Sequence, residues 1–281
     1  MNNIKIVAVI VVYNKKIKES ITFSRIKKMP DIGIQVLVID NSESEMGNGI
    51  YCMENRIKYI SMNGNAGLSK AYNAAINAST DSDIIVLLDD DTEITEEYFK
   101  ILIKKAREYE DIDIFAPVIY GQDGVIYSPN EFNFLRNHFI KTPEQEVSQN
   151  AFNAIASCLA IRTRVFNGYR FNEKLFIDQV DQFFFCEQRK RKMKFLKLDV
   201  EIIQNFYQRG EILSKEAGWT RLRIRIIDIM RHARLMCETK YIIFGFIKCC
   251  GLGVQIGKKT KSILIVFKSV ILAIKCFFEE C

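Results

Sequence analysis

The chain has 281 residues, 48% of them hydrophobic and 26% charged, with a formal net charge of +6. That length can bury a full core, and that composition excludes a disordered or low-complexity chain. The charge is uneven: residues 215–281 hold thirteen Lys/Arg against five Asp/Glu, so residues 1–214 are slightly acidic.

Over the first half, apolar runs alternate with helical patterns, which predicts βαβ units and a mostly parallel sheet. Ile6–Val12 is the first strand, ending in Tyr13-Asn14; the apolar Ile4–Val12 stretch is short, interrupted by Lys5 and lacks a cleavage site, so it is not read as a signal peptide. A helix is predicted over Ile17–Met29, with Pro30 at its exit, then a strand over Gln35–Ile39 ending in Asp40-Asn41-Ser42. A polar loop runs through Asn48, followed by a short strand over Arg56–Ser61 and a turn, Asn63-Gly64-Asn65-Ala66-Gly67. A helix follows from Leu68 to Ala78. The apolar strand from Ile84 to Leu88 ends in Asp89-Asp90-Asp91, and a helix spans Thr95–Tyr109. Ile112–Ile119 is a strand, residues 121–150 read as loop or hairpin, Ile155–Ile161 as a strand and Phe166–Phe176 as loop. A helix over Asp181–Lys192 and strands over Phe195–Val200 and Glu201–Phe206 complete the sheet region.

Beyond Trp219 the pattern changes. Arg221–Ile226 alternates, 226–250 is helical, and the glycines of 251–257 suggest a loop. Ser262–Phe278 is apolar apart from Lys268 and Lys275, seven residues apart and so on one helix face. It is too short and too charged for a bilayer span, and reads either as a helix in a membrane interface or as one packed on the rest of the protein. The predicted division is an α/β domain over residues 1–214 and a basic amphipathic helical region over 215–281. The cations of that region alternate with aliphatic rather than aromatic residues, which disfavours nucleic acid as a partner. Eight cysteines form no CxxC pair and suit a reducing compartment; with only His138 and His232 available, a His/Cys metal site is not expected.

The chemistry concentrates where strands end. Three adjacent carboxylates repel one another unless solvated or neutralised, and a hard divalent ion completed by phosphate oxygens would relieve them. A solvated acidic turn ahead of a helix is the plainer reading. Parallel topology brings Tyr13-Asn14, Asp40-Asn41, Asn63–Gly67 and Asp89–Asp91 to one edge of the sheet, the usual ligand edge. Asp40 there suits a base NH or a ribose hydroxyl, and Lys70 a phosphate. Neither GxGxxG nor GxxxxGK[ST] is present, against dinucleotide and P-loop readings.

At this point the chain resembles the family 2 glycosyltransferases of GT-A fold, nearest the rhamnosyltransferase-like branch. The pieces that carry the resemblance are Val11-Val12-Tyr13-Asn14, Val38-Ile39-Asp40-Asn41-Ser42, Asn63–Gly67, Leu87–Asp91 and Phe171–Asp181, in the family's order. The resemblance implies a Rossmann-like, mixed and mostly parallel sheet flanked by helices, with a C-terminal helical extension. It implies Asp40 at the donor nucleoside with Tyr13 and Asn14 nearby, and Asn65 and Gly67 lining the donor pocket. Asp89, Asp90 and Asp91 match the DxD motif, whose outer carboxylates hold Mg²⁺ or Mn²⁺ against the diphosphate of a dTDP- or UDP-sugar. Asp178 matches the general base, with Asp181 beside it; helix capping is the structural alternative for both. The activity implied is inverting transfer of a hexosyl or rhamnosyl group to a glycan or glycolipid in cell-surface polysaccharide synthesis, in the cytoplasm at the inner membrane face.

Three positions depart from the family pattern. Gln204 stands where relatives carry a metal-binding histidine, and its side-chain oxygen is read as a metal ligand beside Asp89 and Asp91; Ser157-Cys158 stands where they carry Ser-Gly, and Phe171-Asn172-Glu173 where they carry Phe-Asp-Glu. These keep open a non-catalytic partner protein at the membrane surface. A sugar nucleotidyltransferase is the third reading, against which Tyr13-Asn14-Lys15-Lys16 lacks the glycine-rich activating loop.

Overall fold

The computed structural model describes residues 4–30, 33–204 and 214–278. Four strands run parallel at its centre: β1 (Ile6–Val12), β2 (Ile34–Asp40), β3 (Lys58–Ser61) and β4 (Ile84–Asp89). Every residue of β1 is buried, as expected of a strand covered on both faces. Val7, Val9 and Val11 pack under α3 (Leu68–Asn77) and α5 (Val180–Lys190). Ile6, Ala8 and Ile10 pack against Phe23 of α1 (Ile21–Lys28) and Tyr98 and Phe99 of α4 (Glu96–Glu108).

Past β4 the sheet continues with β10 (Leu159–Arg162), antiparallel to both neighbours, then β5 (Ile114–Gly121) and β11 (Phe195–Gln204), which is parallel to β5. The order is β11-β5-β10-β4-β1-β2-β3, with β6 (Ile126–Ser128) also paired to β5. This is the mixed, mostly parallel architecture implied above.

Several elements differ from the sequence expectation, each for a local reason. The helix expected over Ile17–Met29 is broken at Ser20, which caps α1 by accepting from the Phe23 amide while its hydroxyl donates to the Asp90 carbonyl. Asn48, read as loop, opens α2 (Asn48–Glu54). Residues 121–150 do contain the expected hairpin, β7 (Asn130–Asn133) with β8 (Arg136–Phe139); beyond that expectation, it forms a second sheet with β9 (Phe152–Asn153). The strand expected from Ile155 begins only at Leu159, because Cys158 takes a left-handed φ of 59°. The two strands expected over 195–206 are one, β11, with a register shift between Lys197 and Glu201; Asn205 and Phe206 lie outside the described residues.

The largest corrections concern the C-terminal quarter. Neither the alternation over Arg221–Ile226 nor the loop over 251–257 is present; both belong to helices, α6 (Lys215–Leu235) and α7 (Thr239–Lys259), followed by α8 (Ile263–Phe278). The three pack around Leu222, Ile226, Met230, Cys249, Ile265 and Ala273. The glycines of α7 form a packing seam: a Cβ on Gly253 would lie 2.6 Å from Ser269 Cβ, and one on Gly257 2.5 Å from Val266 Cγ2. Gly253→Val is therefore expected to destabilise the protein by about 1–3 kcal/mol in denaturant unfolding. Gly251→Ala, where nothing lies within 4 Å of the new Cβ, is expected to be neutral or to stabilise by up to about 1 kcal/mol.

Candidate active site

The parallel strands end together. Val12 of β1 faces Asp40 of β2, and Val11 faces Asp89 of β4, so Asp40 and Asp89 stand two strand spacings apart, about 10 Å. All four polar clusters expected at one sheet edge leave the ends of β1 to β4 on that edge.

On the β1–β3 side, polar side chains tie the loops to one another. The Asn14 amide donates to Ser42 Oγ (2.8 Å), and Asn14 Oδ1 accepts from the Glu43 amide (2.9 Å). Asn41 Nδ2 donates to Asn65 Oδ1 (3.2 Å), and Asn41 Oδ1 accepts from the Ala66 amide (2.8 Å). Tyr13 is 48% exposed, and its hydroxyl donates to Glu43. Asp40 is buried and already accepts from the Ser42 amide (3.0 Å), Asn48 Nδ2 (2.8 Å) and the Tyr59 hydroxyl (3.1 Å). Its carboxylate thus holds the rim of the cleft together. Gly67 has φ +87°, and a Cβ there would lie 2.6 Å from the Phe176 ring and 2.7 Å from the Phe176 carbonyl. The Leu68 amide donates to that carbonyl (2.6 Å), so Gly67 allows the 171–178 loop to close on the start of α3. Lys70 is exposed on the first turn of α3.

The acidic cluster sits at the end of β4. Asp90 pairs with Lys15. Asp89 accepts from Gln204 Nε2 (2.9 Å); burial raises its pKa and that hydrogen bond lowers it again. Burial, then the charges of Asp89 and Asp90, push Asp91 up to about 6. Thr92 bridges to Gln204, placing the end of β11 against the cluster. Two oxygens here, Asp91 Oδ1 and Gln204 Oε1, are buried without a hydrogen-bond partner among the described residues. A hard cation fits that donor set, since oxygens are its preferred ligands and it would lower the cost of burying them. Among the described residues no three His, Cys, Asp or Glu side chains group to hold a metal; an amide stands in the third place.

Asp178 lies beside α6, and Asp181 is in the first turn of α5. Gln179 is the residue that caps α5, with φ 63° and no side-chain capping bond, so neither aspartate is the cap. Asp178 forms an ion pair with Arg221 (2.7 Å) and lies 3.8 Å from Arg225. Asp181 accepts from the Ala156 amide (3.2 Å), and burial, followed by the charges of Asp89 and Asp178, pushes it up to about 7. Asp181 thus lies within electrostatic reach of both Asp89 and Asp178.

Sequence reasoning missed the residues that hold this loop. Asp228 of α6 is fully buried and accepts from the amides of Phe176 (3.0 Å), Ile177 (2.9 Å) and Asp178 (2.9 Å). Arg231 donates to the Lys174 carbonyl (2.7 Å), and His232 Nδ1 lies 3.2 Å from Gln179 Oε1. Burial, with the nearby charges of Lys248, Arg189 and Lys190, lowers His232 to about 3 and keeps it neutral. The one available signal was helical spacing: Arg221, Arg225, Asp228 and His232 recur at four, three and four residues.

Carboxylates gathered at the ends of the parallel strands of a mixed sheet are the arrangement that the resemblance to family 2 glycosyltransferases implies. The profile described as "Glycosyl transferase family 2" matches residues 7–170, more than half of the chain, and the chain belongs to that family. Among solved structures it is similar to S. aureus TarS residues 1–349, at 16% identity and TM-score 0.55, covering 99% of this chain and 81% of that one. It is also similar to GalNAc-T7 with UDP, GalNAc and Mn²⁺ (13% identity, TM-score 0.59), over 98% of this chain and 58% of that one. The mannosyltransferase PcManGT from Pyrobaculum calidifontis with GDP-Man and Mn²⁺ is a third (12%, TM-score 0.56), over 96% of this chain and 75% of that one. Identities this low carry the fold alone. No curated protein matches the chain in sequence.

The raised carboxyls give the protein a pH signature. An unfolded Asp titrates near 3.9, so Asp91 and Asp181 bind protons more tightly in the folded chain. The stability this gives is complete below about pH 4 and is lost as pH rises through the folded values of about 6 and about 7. Without added metal, thermal unfolding at pH 8 is expected to come earlier than at pH 5. Asp181→Asn is expected to recover part of that loss, on the order of 2 kcal/mol.

Proposed function

We propose that the protein is an inverting glycosyltransferase that moves a hexosyl or rhamnosyl group from a dTDP- or UDP-sugar to a hydroxyl of a glycan or glycolipid acceptor, in cell-surface polysaccharide synthesis at the inner face of the membrane. The observation that carries this reading is the pair of buried, unpartnered oxygens on Asp91 and Gln204, beside Asp89 at the ligand edge of the sheet. Asp89, Asp91 and Gln204 would hold Mg²⁺ or Mn²⁺, which supplies Lewis-acid stabilisation of a departing diphosphate. Tyr13, Asn14 and Asn65 line the nucleoside side, with Asp40 and Gly67 fixing the loops that carry them. Lys15 sits on the inner carboxylate, Asp90, and so reduces the repulsion that a diphosphate would meet.

On the acceptor side Asp178 takes the proton from the attacking hydroxyl. Its backbone is held by Asp228 and its carboxylate is aligned by Arg221, so the base is preorganised. Attack from this side with the diphosphate leaving on the opposite face inverts the anomeric centre. Asp181 supports a second assignment: among the described residues no cation pairs with it, and it titrates near neutrality, as a general base should.

Mn²⁺ with UDP or dTDP, at about a hundredfold excess over the dissociation constant, is expected to stabilise the fold by about 2.7 kcal/mol in a thermal-shift assay. No response to any nucleoside diphosphate would favour the non-catalytic partner reading. Asp178→Asn is expected to lower kcat by roughly 10²–10⁴-fold while leaving the nucleotide shift intact. Unimpaired turnover in that variant, with loss in Asp181→Asn and an acid limb near pH 7 in the parent, would move the base to Asp181.

A further inference from the structure

Nine of the eighteen large apolar side chains exposed among the described residues lie on α7 and α8. On α8, Ile263, Phe267, Ile271, Ile274 and Phe278 recur every three or four residues, between 43% and 79% exposed. They stand opposite Ile265, Ser269, Ala273 and Cys276, which face the helical core. On α7, Ile243 and Ile247 are exposed on the side opposite the buried Gly245, Cys249, Gly253 and Gly257. Each helix of this hairpin therefore has one face packed by small residues and one apolar face turned outward.

The charges of the hairpin have one sign. Thr239–Phe278 contains seven lysines and no Asp or Glu, and Lys258, Lys259 and Lys261 gather where α7 meets α8. Lys240 pairs with Glu238 and Lys248 is turned inward to the Phe134 carbonyl, but a second copy of the same face would still bring Lys258, Lys259 and Lys261 against their counterparts, which opposes self-association. An anionic lipid surface matches both properties, taking the apolar stripes into its acyl boundary and the lysines at its headgroups. Length favours lying in the surface over crossing it. The 16 residues of α8 span about 24 Å, short of a hydrocarbon core of about 30 Å. α7 is long and apolar enough to cross by composition, but its inner face is committed to α6 and α8 through Gly245, Gly253 and Gly257.

We infer that the outward face of the α7–α8 hairpin docks this protein in the plane of a bilayer interface containing anionic lipid. This deepens the membrane placement proposed above by naming the surface and the lipid class. It needs no donor, acceptor or turnover, so its failure and that of the sugar-transfer reading are separable.

The test is flotation of the full chain with vesicles of phosphatidylcholine, with and without phosphatidylglycerol. Binding is expected with the anionic vesicles, and to be about tenfold weaker without phosphatidylglycerol or in about 0.5 M salt. The double variant Phe267→Glu/Ile271→Glu is expected to bind about tenfold or more weakly, with an unchanged circular dichroism spectrum because both side chains are exposed. Met53→Glu, on a distant exposed site, is expected to bind like the parent. Equal binding by the double variant and the parent, or no preference for phosphatidylglycerol, would overturn the inference. So would light scattering that finds a dimer in the parent and a monomer in the double variant, which would assign the face to a second copy.

Discussion

Crowding of carboxylates at the end of a buried sheet is the constraint from which the rest of the cleft follows. Asp89, Asp91 and Asp181 are all shifted upward, first by burial and then by one another or by Asp90 and Asp178. Like charges this close are unfavourable in a medium less polar than water. The chain limits the cost by giving most of these acids a partner: Gln204 for Asp89, Lys15 for Asp90, the Ala156 amide for Asp181, and Arg221 with Arg225 for Asp178. The compensation is deliberately incomplete at Asp91 Oδ1 and Gln204 Oε1. On the proposed reading, oxygens left unsatisfied in this way would serve a cation, at the expense of stability without it.

The family match and the chemistry divide the cleft between them. Residues 7–170 contain the strand-end loops of the nucleotide side and the acidic cluster. Asp178, Asp181, Gln204 and all of α6 lie beyond that stretch. The proposed acceptor side thus lies outside the matched stretch, and α6 is integral to it. Asp228 supplies one buried carboxylate for three successive backbone amides, which fixes the loop carrying Asp178 far more firmly than loop residues alone would.

What was legible in the sequence was local. The runs at Ile6–Val12 and Ile84–Leu88 announce doubly covered strands because each position is apolar, and the Asp triplet is visible by its own improbability. The role of Asp40 was not legible, because its partners Asn48 and Tyr59 come from an unforeseen helix and an edge strand. Asp228 acts 50 to 52 residues away from its position in the chain, a distance over which no periodicity speaks. Gly253 and Gly257 were misread for the opposite reason. Glycine signals a turn by default, and only the neighbouring helix, pressing Ser269 and Val266 against them, makes close packing the reason for their presence. Cys158 shows how a departure from the family spelling translates into physics. The backbone there keeps a positive φ that glycine adopts freely, so the side chain is carried at a conformational cost while the turn into β10 is preserved.

The misread alternation at Arg221–Ile226 contains the link between the two ends of the molecule. As a strand, Arg221, Arg223 and Arg225 would share one face; in α6, Arg221 and Arg225 point toward Asp178 while Leu222 and Ile226 enter the core shared with α7 and α8. Continuing the same helix, Asp228 and His232 reach the 176–179 loop, whereas Ile229, Met230 and Ala233 face the hairpin, Met230 and Ala233 closing on Gly245. One rigid helix of 21 residues therefore carries the positioning groups of the acceptor loop along one side and the seat of the hairpin along the other. If the hairpin lies in a lipid surface, the orientation of that surface relative to Asp178 is set by α6 together with α7, whose Lys248 donates to the Phe134 carbonyl and whose Tyr241 packs on the Phe134 ring. An acceptor anchored in the same surface would then meet the base at a fixed height, with no linker entropy to overcome.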